Sequence, residues 1–308
     1  MSNMANTPLI IAFTPNYFIP AATTLKSLLD ASDGNYHVIC LVTEDIPSEM
    51  QEKLTRMGDG RLEFEYLNLG GRLKDIYTDP RYSEAASFRL LLPEILTGYN
   101  KVAYIDCDVI IRQDIGKLYE STDLQNFYLG VVYEAAIENQ AERWKAIGCN
   151  PKAYFNSGFL LMNLDSMRRN KITEKLIEAS KVDYLEFPDQ DVLNQVCQGH
   201  VLPLSPKYNG IRTFFLPQYK SDFIAQYGSE DIWQSIQREA TIHYTGGKPW
   251  NVFTVKFEEW WRTFDSLPQE IRSGWKPSKM SRLWKVYRTA AGRFCIDSMQ
   301  TIYRKIKR

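Results

Sequence analysis

The sequence predicts an α/β fold with a mixed, mainly parallel sheet. Three observations lead there. Short apolar runs alternate with amphipathic helical segments from Pro8 to Leu69. A central run, Val102 to Ile105, delivers two acids, Asp106 and Asp108, at its end. The chain of 308 residues is long enough for one large α/β domain with an ample core. Strand–helix–strand–helix order favours parallel pairing, with nucleotide bound beyond the strands' C-terminal ends.

Taken in order, Pro8 to Phe13 reads as a first strand, closed by the turn-forming Thr14-Pro15-Asn16-Tyr17. A helix is expected from about Pro20, with Leu25, Leu28 and Leu29 on one face. His37 to Val42 is a second strand, Pro47-Ser48 opens a helix carrying Met50, Leu54 and Met57, and Leu62 to Leu69 alternates as a third strand. Ser83 to Leu92 reads as a helix that stops at Pro93, with the charged Arg89 inside its apolar face. Phe127 to Val132 is a further strand, and Tyr133 to Tyr154 a polar, aromatic-bearing excursion suited to covering a site. Tyr154 to Leu164 reads as a strand interrupted at Asn156-Ser157-Gly158, where glycine signals a bulge or a close backbone approach. Ile172 to Ala179 forms an external helix. Asp189-Gln190-Asp191 opens another, with one of the acids an eligible N-cap and either able to face the platform.

The chemistry concentrates at Lys101 to Ile115. On extended chain, Asp106 and Asp108 point to one face and repel, and burial raises that cost. A hard divalent cation such as Mn²⁺ or Mg²⁺ removes the difficulty and can hold phosphate oxygens in turn. The plainer alternative is a pair of acids that ends a strand. Cys107 between them is a poor ligand for a hard cation and reads as a small apolar spacer. Near the end of the informative region, His243 adds an imidazole to a mixed nitrogen–oxygen set, Gly246-Gly247 allow close backbone approach, and Lys248, followed by Pro249, supplies positive charge. No GxGxxG and no GxxxxGK[ST] occurs, so neither dinucleotide nor P-loop chemistry is indicated.

These elements together resemble glycosyltransferase family 8, the retaining galactosyl- and glucosyltransferases of GT-A (Rossmann-like) fold that build bacterial lipopolysaccharide or lipooligosaccharide; glycogenin is a further member. The resemblance runs from Leu9 to Trp250 through four ordered motifs: Ala12…Asn16-Tyr17, Tyr104-Ile105-Asp106-Cys107-Asp108, Phe155-Asn156-Ser157-Gly158 with Asp189-Gln190-Asp191, and His243…Gly246…Lys248-Pro249-Trp250. It implies Asp106, Asp108 and His243 as ligands of Mn²⁺, with Mg²⁺ a substitute, bridging the phosphates of UDP-galactose or UDP-glucose. Ala12, Asn16, Tyr17 and Cys107 would line the nucleotide pocket, and Gly246 and Lys248 would hold phosphate. Arg89, Asn156, Asp189 and Gln190 would surround the donor sugar, with Arg89, Asp189 and Gln190 nearest the chemistry. The chain departs from its relatives at Thr14-Pro15, where an acid is common, and in a shorter link between Gly246 and Lys248. The central amide is a poor nucleophile, which favours attack from the leaving-group face over a covalent adduct on Asp189 or Asp191.

A net charge of zero hides a split. Residues 275–308 carry ten Lys/Arg against Asp297 alone, a balance of +9 that leaves −9 on residues 1–274. The expected organisation is therefore a catalytic domain over 1–274 and a basic tail over 275–308. In that tail Trp284, Tyr287, Ala291, Phe294, Cys295, Met299, Ile302 and Ile306 recur at helical spacing, the pattern of a helix lying in an anionic membrane surface. A packed terminal helix and nucleic-acid binding are the other readings of the same pattern, with nucleic acid set aside. Five scattered cysteines without a CxxC, the lack of a leader-like N-terminus and the lack of a long apolar run point to the cytoplasm, at the inner face of its membrane. The expected acceptor is a saccharide, such as a cell-surface glycolipid. Self-glucosylating primer, non-catalytic sugar-nucleotide binder and sugar nucleotidyltransferase are the rival readings.

Overall fold

A computed structural model describes residues 6–74, 76, 83–137 and 140–306, the last with side chains through 299. Ten strands are found among them: β1 Thr7–Phe13, β2 Tyr36–Val42, β3 Leu62–Asn68, β4 Lys101–Ile105, β5 Val109–Ile110, β6 Leu129–Tyr133, β7 Phe155–Asn163, β8 Val201–Pro203, β9 Gly210–Ile211 and β10 Ile242–His243. Seven of them form one sheet in the order β3-β2-β1-β4-β7-β6-β8. The pairings β1–β2, β2–β3, β1–β4 and β6–β8 are parallel, and only β7 runs antiparallel to its neighbours β4 and β6. The expected mixed, mainly parallel α/β sheet is what the chain adopts.

Why the inner strands read as unbroken apolar runs is visible in the two cores. Leu9, Ile11 and Phe13 of β1 point into one cluster with Val38, Cys40, Ala103 and Ile105. Ile10 and Ala12 point the other way, into a second cluster with Ile39, Leu41, Val102 and Tyr104. A strand covered on both faces has no polar side to show. Edge strand β3 keeps the half-polar alternation instead, with Glu63 exposed.

β4 lies at the centre, and the chain leaves it through a turn at Asp106-Cys107-Asp108 into β5, which belongs to a separate three-stranded sheet, β5-β10-β9. The two acids are therefore not on extended chain as expected. The Asp106 N–H still pairs with the Gly158 carbonyl on β7 (2.9 Å), while the Asp108 carbonyl accepts from the Tyr244 N–H beyond β10 (3.1 Å). Each acid stays with a different sheet, and the turn between them brings the carboxylates together. The helix Phe18–Ala31 braces this crossing: the Thr24 hydroxyl bonds the Cys107 and Val109 carbonyls (3.0 and 2.8 Å), and the Ser27 hydroxyl accepts the Ile111 N–H (2.8 Å).

One further expectation changes. The segment from Ser83 is broken into a turn of helix Glu84–Ser87, a 3₁₀ stretch Phe88–Leu91 and a helix Leu92–Ile95. Pro93 starts that last piece rather than stopping the first, because the opening turn of a helix needs no proline N–H. The tail over 275–308 forms two helices, Lys279–Tyr287 and Ala290–Ile306. Trp284 and Tyr287 of the helix Lys279–Tyr287 are buried, Trp284 against Phe257 and Tyr287 against Phe253, and Trp284 Nε1 donates to Asp265 (2.8 Å). Trp275 also packs its ring against Trp260 and Trp261. In the next helix, Ala290–Ile306, Ile296 faces inward while Phe294 and Met299 are 75% and 61% exposed. Lys307, Arg308 and the side chains of Ile302 and Ile306 lie outside the described residues, as do residues 1–5.

Candidate active site

A cleft of about 830 Å³ opens beyond the ends of β1, β4 and β7. It gathers nearly every residue singled out in the sequence: Ala12 and Tyr17 at one end, Asp106, Cys107, Asp108 and His243 in its floor, Gly246 and Lys248 beside them, and Arg89, Asn156, Asp189 and Gln190 along the far wall. Asn16 is one exception. It sits on the 3₁₀ turn Pro15–Tyr17, whose rotation turns Tyr17 to the cleft and Asn16 to solvent, and it does not line the cleft.

The floor is a tight acidic cluster. One ligand atom each from Asp106, Asp108 and His243 all lie within 4.8 Å of one another. His243 Nε2 is 3.3 Å from Asp108 Oδ1 and 3.7 Å from Asp106 Oδ2, and its Nδ1 faces Asn209 Oδ1 at 3.0 Å. Two carboxylate oxygens and an imidazole nitrogen form a donor set suited to a hard or borderline divalent cation. Lys248 meets Asp108 in an ion pair and also donates to the Tyr244 carbonyl (2.8 Å). Burial opposes ionisation of Asp108, yet Lys248 and His243 hold its carboxyl below the usual value. The same partner lifts the Lys248 ammonium above its usual value against the pull of burial. Gly158 makes the cluster possible, because a Cβ there would stand 2.1 Å from His243 Cε1 and 2.8 Å from Asp106 Oδ2. The glycine foreseen as a bulge or close approach is both: between Asn156 and Leu161 the register of β7 against β6 shifts.

Arg89 is the keystone of the wall. Its side chain is 3% exposed, reaches Asp106 at 2.7 Å and Asp189 at 3.2 Å, and donates to the Ser157 carbonyl and hydroxyl. Desolvation works against the charge, and Asp106 and its neighbours more than restore it, so the guanidinium stays above its usual value. It is a buried bridge between two acids rather than a snorkelling surface arginine. Asp189 accepts from the Ser157 hydroxyl as well (3.1 Å), and burial lifts its carboxyl.

Asp189 and Asp191 part company. Phe187 is the N-cap of the helix Pro188–Cys197 and makes no side-chain cap, so neither acid plays that role. Asp189 faces the cleft. Asp191 is fully buried and turns away, accepting from Arg143, from the Tyr154 hydroxyl (2.6 Å) and from the Glu186 and Phe187 N–H groups (3.1 Å each). Between them, Gln190 Oε1 accepts from Asn156 Nδ2 (2.9 Å) and the Ser157 N–H (3.1 Å), and its Nε2 donates to Tyr154 (3.0 Å) and Glu134 (3.2 Å). The excursion folds over this wall. Its helix Gln140–Ala146 sends Arg143 to Asp191 and stacks Trp144 on Tyr154, rings 4.2 Å apart.

Three contributors had not been singled out. Glu134 lines the cleft against Asn156 and Gln190, and burial raises its carboxyl. It follows β6 directly, so an acid closing an apolar run, the signal read at Asp106, was there to be seen. Asn209 and Arg143 carry no such signal, since nothing local marks a partner many residues away.

The class of protein follows from fold and cleft together. The chain superposes over 87% of its length on 99% of the galactosyltransferase LgtC, a structure solved with donor and acceptor sugar analogues, at TM-score 0.70 and 26% identity. This is the GT-A architecture. Residues 8–254 match the model of "Glycosyl transferase family 8", and the chain belongs to that family of glycosyltransferases. A lipopolysaccharide 1,2-glucosyltransferase of Escherichia coli is 28% identical over 250 residues, 77% of this chain and 70% of that protein. General stress protein A of Bacillus subtilis is 30% identical over 177 residues, 55% of this chain, and the match spans 60% of that relative. No described helix is long and apolar enough to cross a membrane.

Proposed function

We propose that this glycosyltransferase moves a hexose, galactose or glucose, from a UDP-sugar to a saccharide acceptor with retention of configuration, and that it requires a divalent cation, Mn²⁺ or Mg²⁺. The observation that carries the reading is the Asp106–Asp108–His243 cluster in one cleft with Lys248 and with the Arg89, Asn156, Asp189 and Gln190 wall. The cluster fits a cation: like charges are held together in a buried setting, and the imidazole turns one nitrogen to both carboxylates. A cation held there would neutralise the diphosphate as it departs. Lys248 adds positive charge beside it, and Gly246, at φ +81°, gives a backbone that a side chain would strain.

In the transfer, the bond from the anomeric carbon to the β-phosphate oxygen breaks while the bond to the acceptor oxygen forms, and the acceptor proton passes to the departing phosphate. Gln190 supports direct attack from the leaving-group face: both acceptor positions of its Oε1 are taken by Asn156 and Ser157. Asp189 is tied to Arg89, and Asp191 does not line the cleft and accepts from five donors. None of the three is a free nucleophile. The acceptor we propose is a cell-surface glycolipid such as lipopolysaccharide core, reached from the cytoplasmic face of the membrane. The glucosyltransferase relative and the exposed Phe294 and Met299 beside Arg288 and Arg293 support that part.

A screen of UDP release across UDP-sugars, with and without Mn²⁺, tests the reading. Turnover of UDP-galactose or UDP-glucose that needs the cation and vanishes in Asp108→Ala is expected. Turnover untouched by chelation or by that substitution would remove its basis.

A further inference from the structure

Asn209 lies just before β9, is fully buried, and sits between the cation cluster and the sugar-facing wall. The direction of every hydrogen bond around it can be worked out, because the chain of amides is anchored on backbone groups that only donate. The Gly158 N–H donates to Asn156 Oδ1 (3.0 Å), and the Ser157 N–H donates to Gln190 Oε1 (3.1 Å). Those two atoms are therefore oxygens. Asn156 Oδ1 accepts in addition from Asn209 Nδ2 (3.0 Å), which leaves Asn209 Oδ1 facing His243 Nδ1 at 3.0 Å. An amide oxygen only accepts, so Nδ1 carries a proton, and Nε2, aimed between Asp106 and Asp108, is the ring nitrogen left for a cation.

We propose that Asn209 is a positioning residue that holds His243 in the one tautomer able to bind a divalent cation at Nε2, and that ties this ligand to Asn156 and Gln190. The inference rests on the cation reading above. It adds a coupling: the side chain that orients the metal ligand also orients the amide offered to the donor sugar. Each of its two polar atoms serves one half of the site, so the halves separate by substitution. Asn209→Leu removes both bonds. Asn209→Asp keeps an acceptor for the Nδ1 proton and loses the donor to Asn156.

The experiment measures Mn²⁺ affinity of the purified full chain by titration calorimetry, with thermal melting in chelator to establish folding, and the donor KM beside it. Asn209→Leu is expected to bind Mn²⁺ about 10–100-fold more weakly, the usual cost of losing the partner of a metal-bound histidine. Asn209→Asp is expected to bind at least as tightly as the unaltered chain while its donor KM rises. A folded Asn209→Leu with unchanged affinity overturns the inference, and so does an Asn209→Asp that loses the cation or keeps its donor KM. Should Asn209→Leu fail to fold, the aspartate variant decides alone. No Mn²⁺ binding by the unaltered chain would instead sink the cation reading, and this inference with it.

Discussion

Gly158→Ala is a one-methyl change with a large expected effect. The added Cβ would stand 2.1 Å from His243 Cε1, 2.7 Å from Nδ1 and 2.8 Å from Asp106 Oδ2. Ordinary carbon contacts begin near 3.5 Å, so the imidazole must retreat by roughly 1.4 Å. It has little room to do so: His243 is 4% exposed, its Nδ1 is held by Asn209, and its backbone pairs with Val109 and Ile211. Overpacking of a tight interior costs about 1–3 kcal/mol. Misplacing a catalytic group by about 1 Å costs on the order of 100-fold in rate. The variant should therefore lose cation affinity and about two orders of magnitude in kcat while remaining folded, with its melting temperature lowered by several degrees. Gly98→Ala is the control, since nothing lies within 4 Å of a Cβ there. Kinetics at saturating UDP-sugar with a Mn²⁺ titration read out both effects. A Gly158→Ala enzyme matching the Gly98→Ala enzyme in kcat and cation affinity would refute the packing argument.

Other outcomes follow from the same geometry. Arg89→Ala leaves the buried Asp189 and the half-buried Asp106 without their shared cation and should cost about 3–5 kcal/mol of stability by denaturant unfolding; a loss under about 1 kcal/mol would mean the bridge is not what holds this wall. Arg89→Lys should rescue little, because an ammonium lacks the fork that spans two carboxylates. The Glu134 carboxyl is raised by burial, so the stability it contributes is full below its ordinary value of 4.5 and is lost as pH rises through the folded value. Glu134→Gln, which cannot ionise, should therefore melt above the parent at neutral pH, with the gap closing towards about pH 4; a gap that widens on acidification contradicts the assigned direction. For the tail, replacing Phe294 and Met299 with aspartate should abolish flotation with anionic vesicles and leave transfer to a soluble acceptor intact, since neither side chain is part of the core. Unchanged flotation would rule the surface out.

Local pattern alone determined much of this protein. Whether a strand is covered on both faces or one is written in every residue of β1, β2 and β3, since burial acts residue by residue. The residues of the floor were readable for a related reason. Asp106 closes the apolar run Val102 to Ile105, Asp108 directly precedes the run Val109 to Ile111, His243 follows Ile242, and Lys248 follows a glycine pair. What the tertiary structure decided was direction. That Asp189 faces the cleft and Asp191 faces Arg143, that Asn16 turns outward, and that Trp284 and Tyr287 belong to the core depend on what the remainder of the chain places opposite each side chain. Asn209 is the extreme case. Its role arises from hydrogen bonds to His243 and Asn156, neither of them near it in sequence. A hydrogen bond needs donor and acceptor within about 3 Å and correctly aimed, and only the assembled fold fixes both.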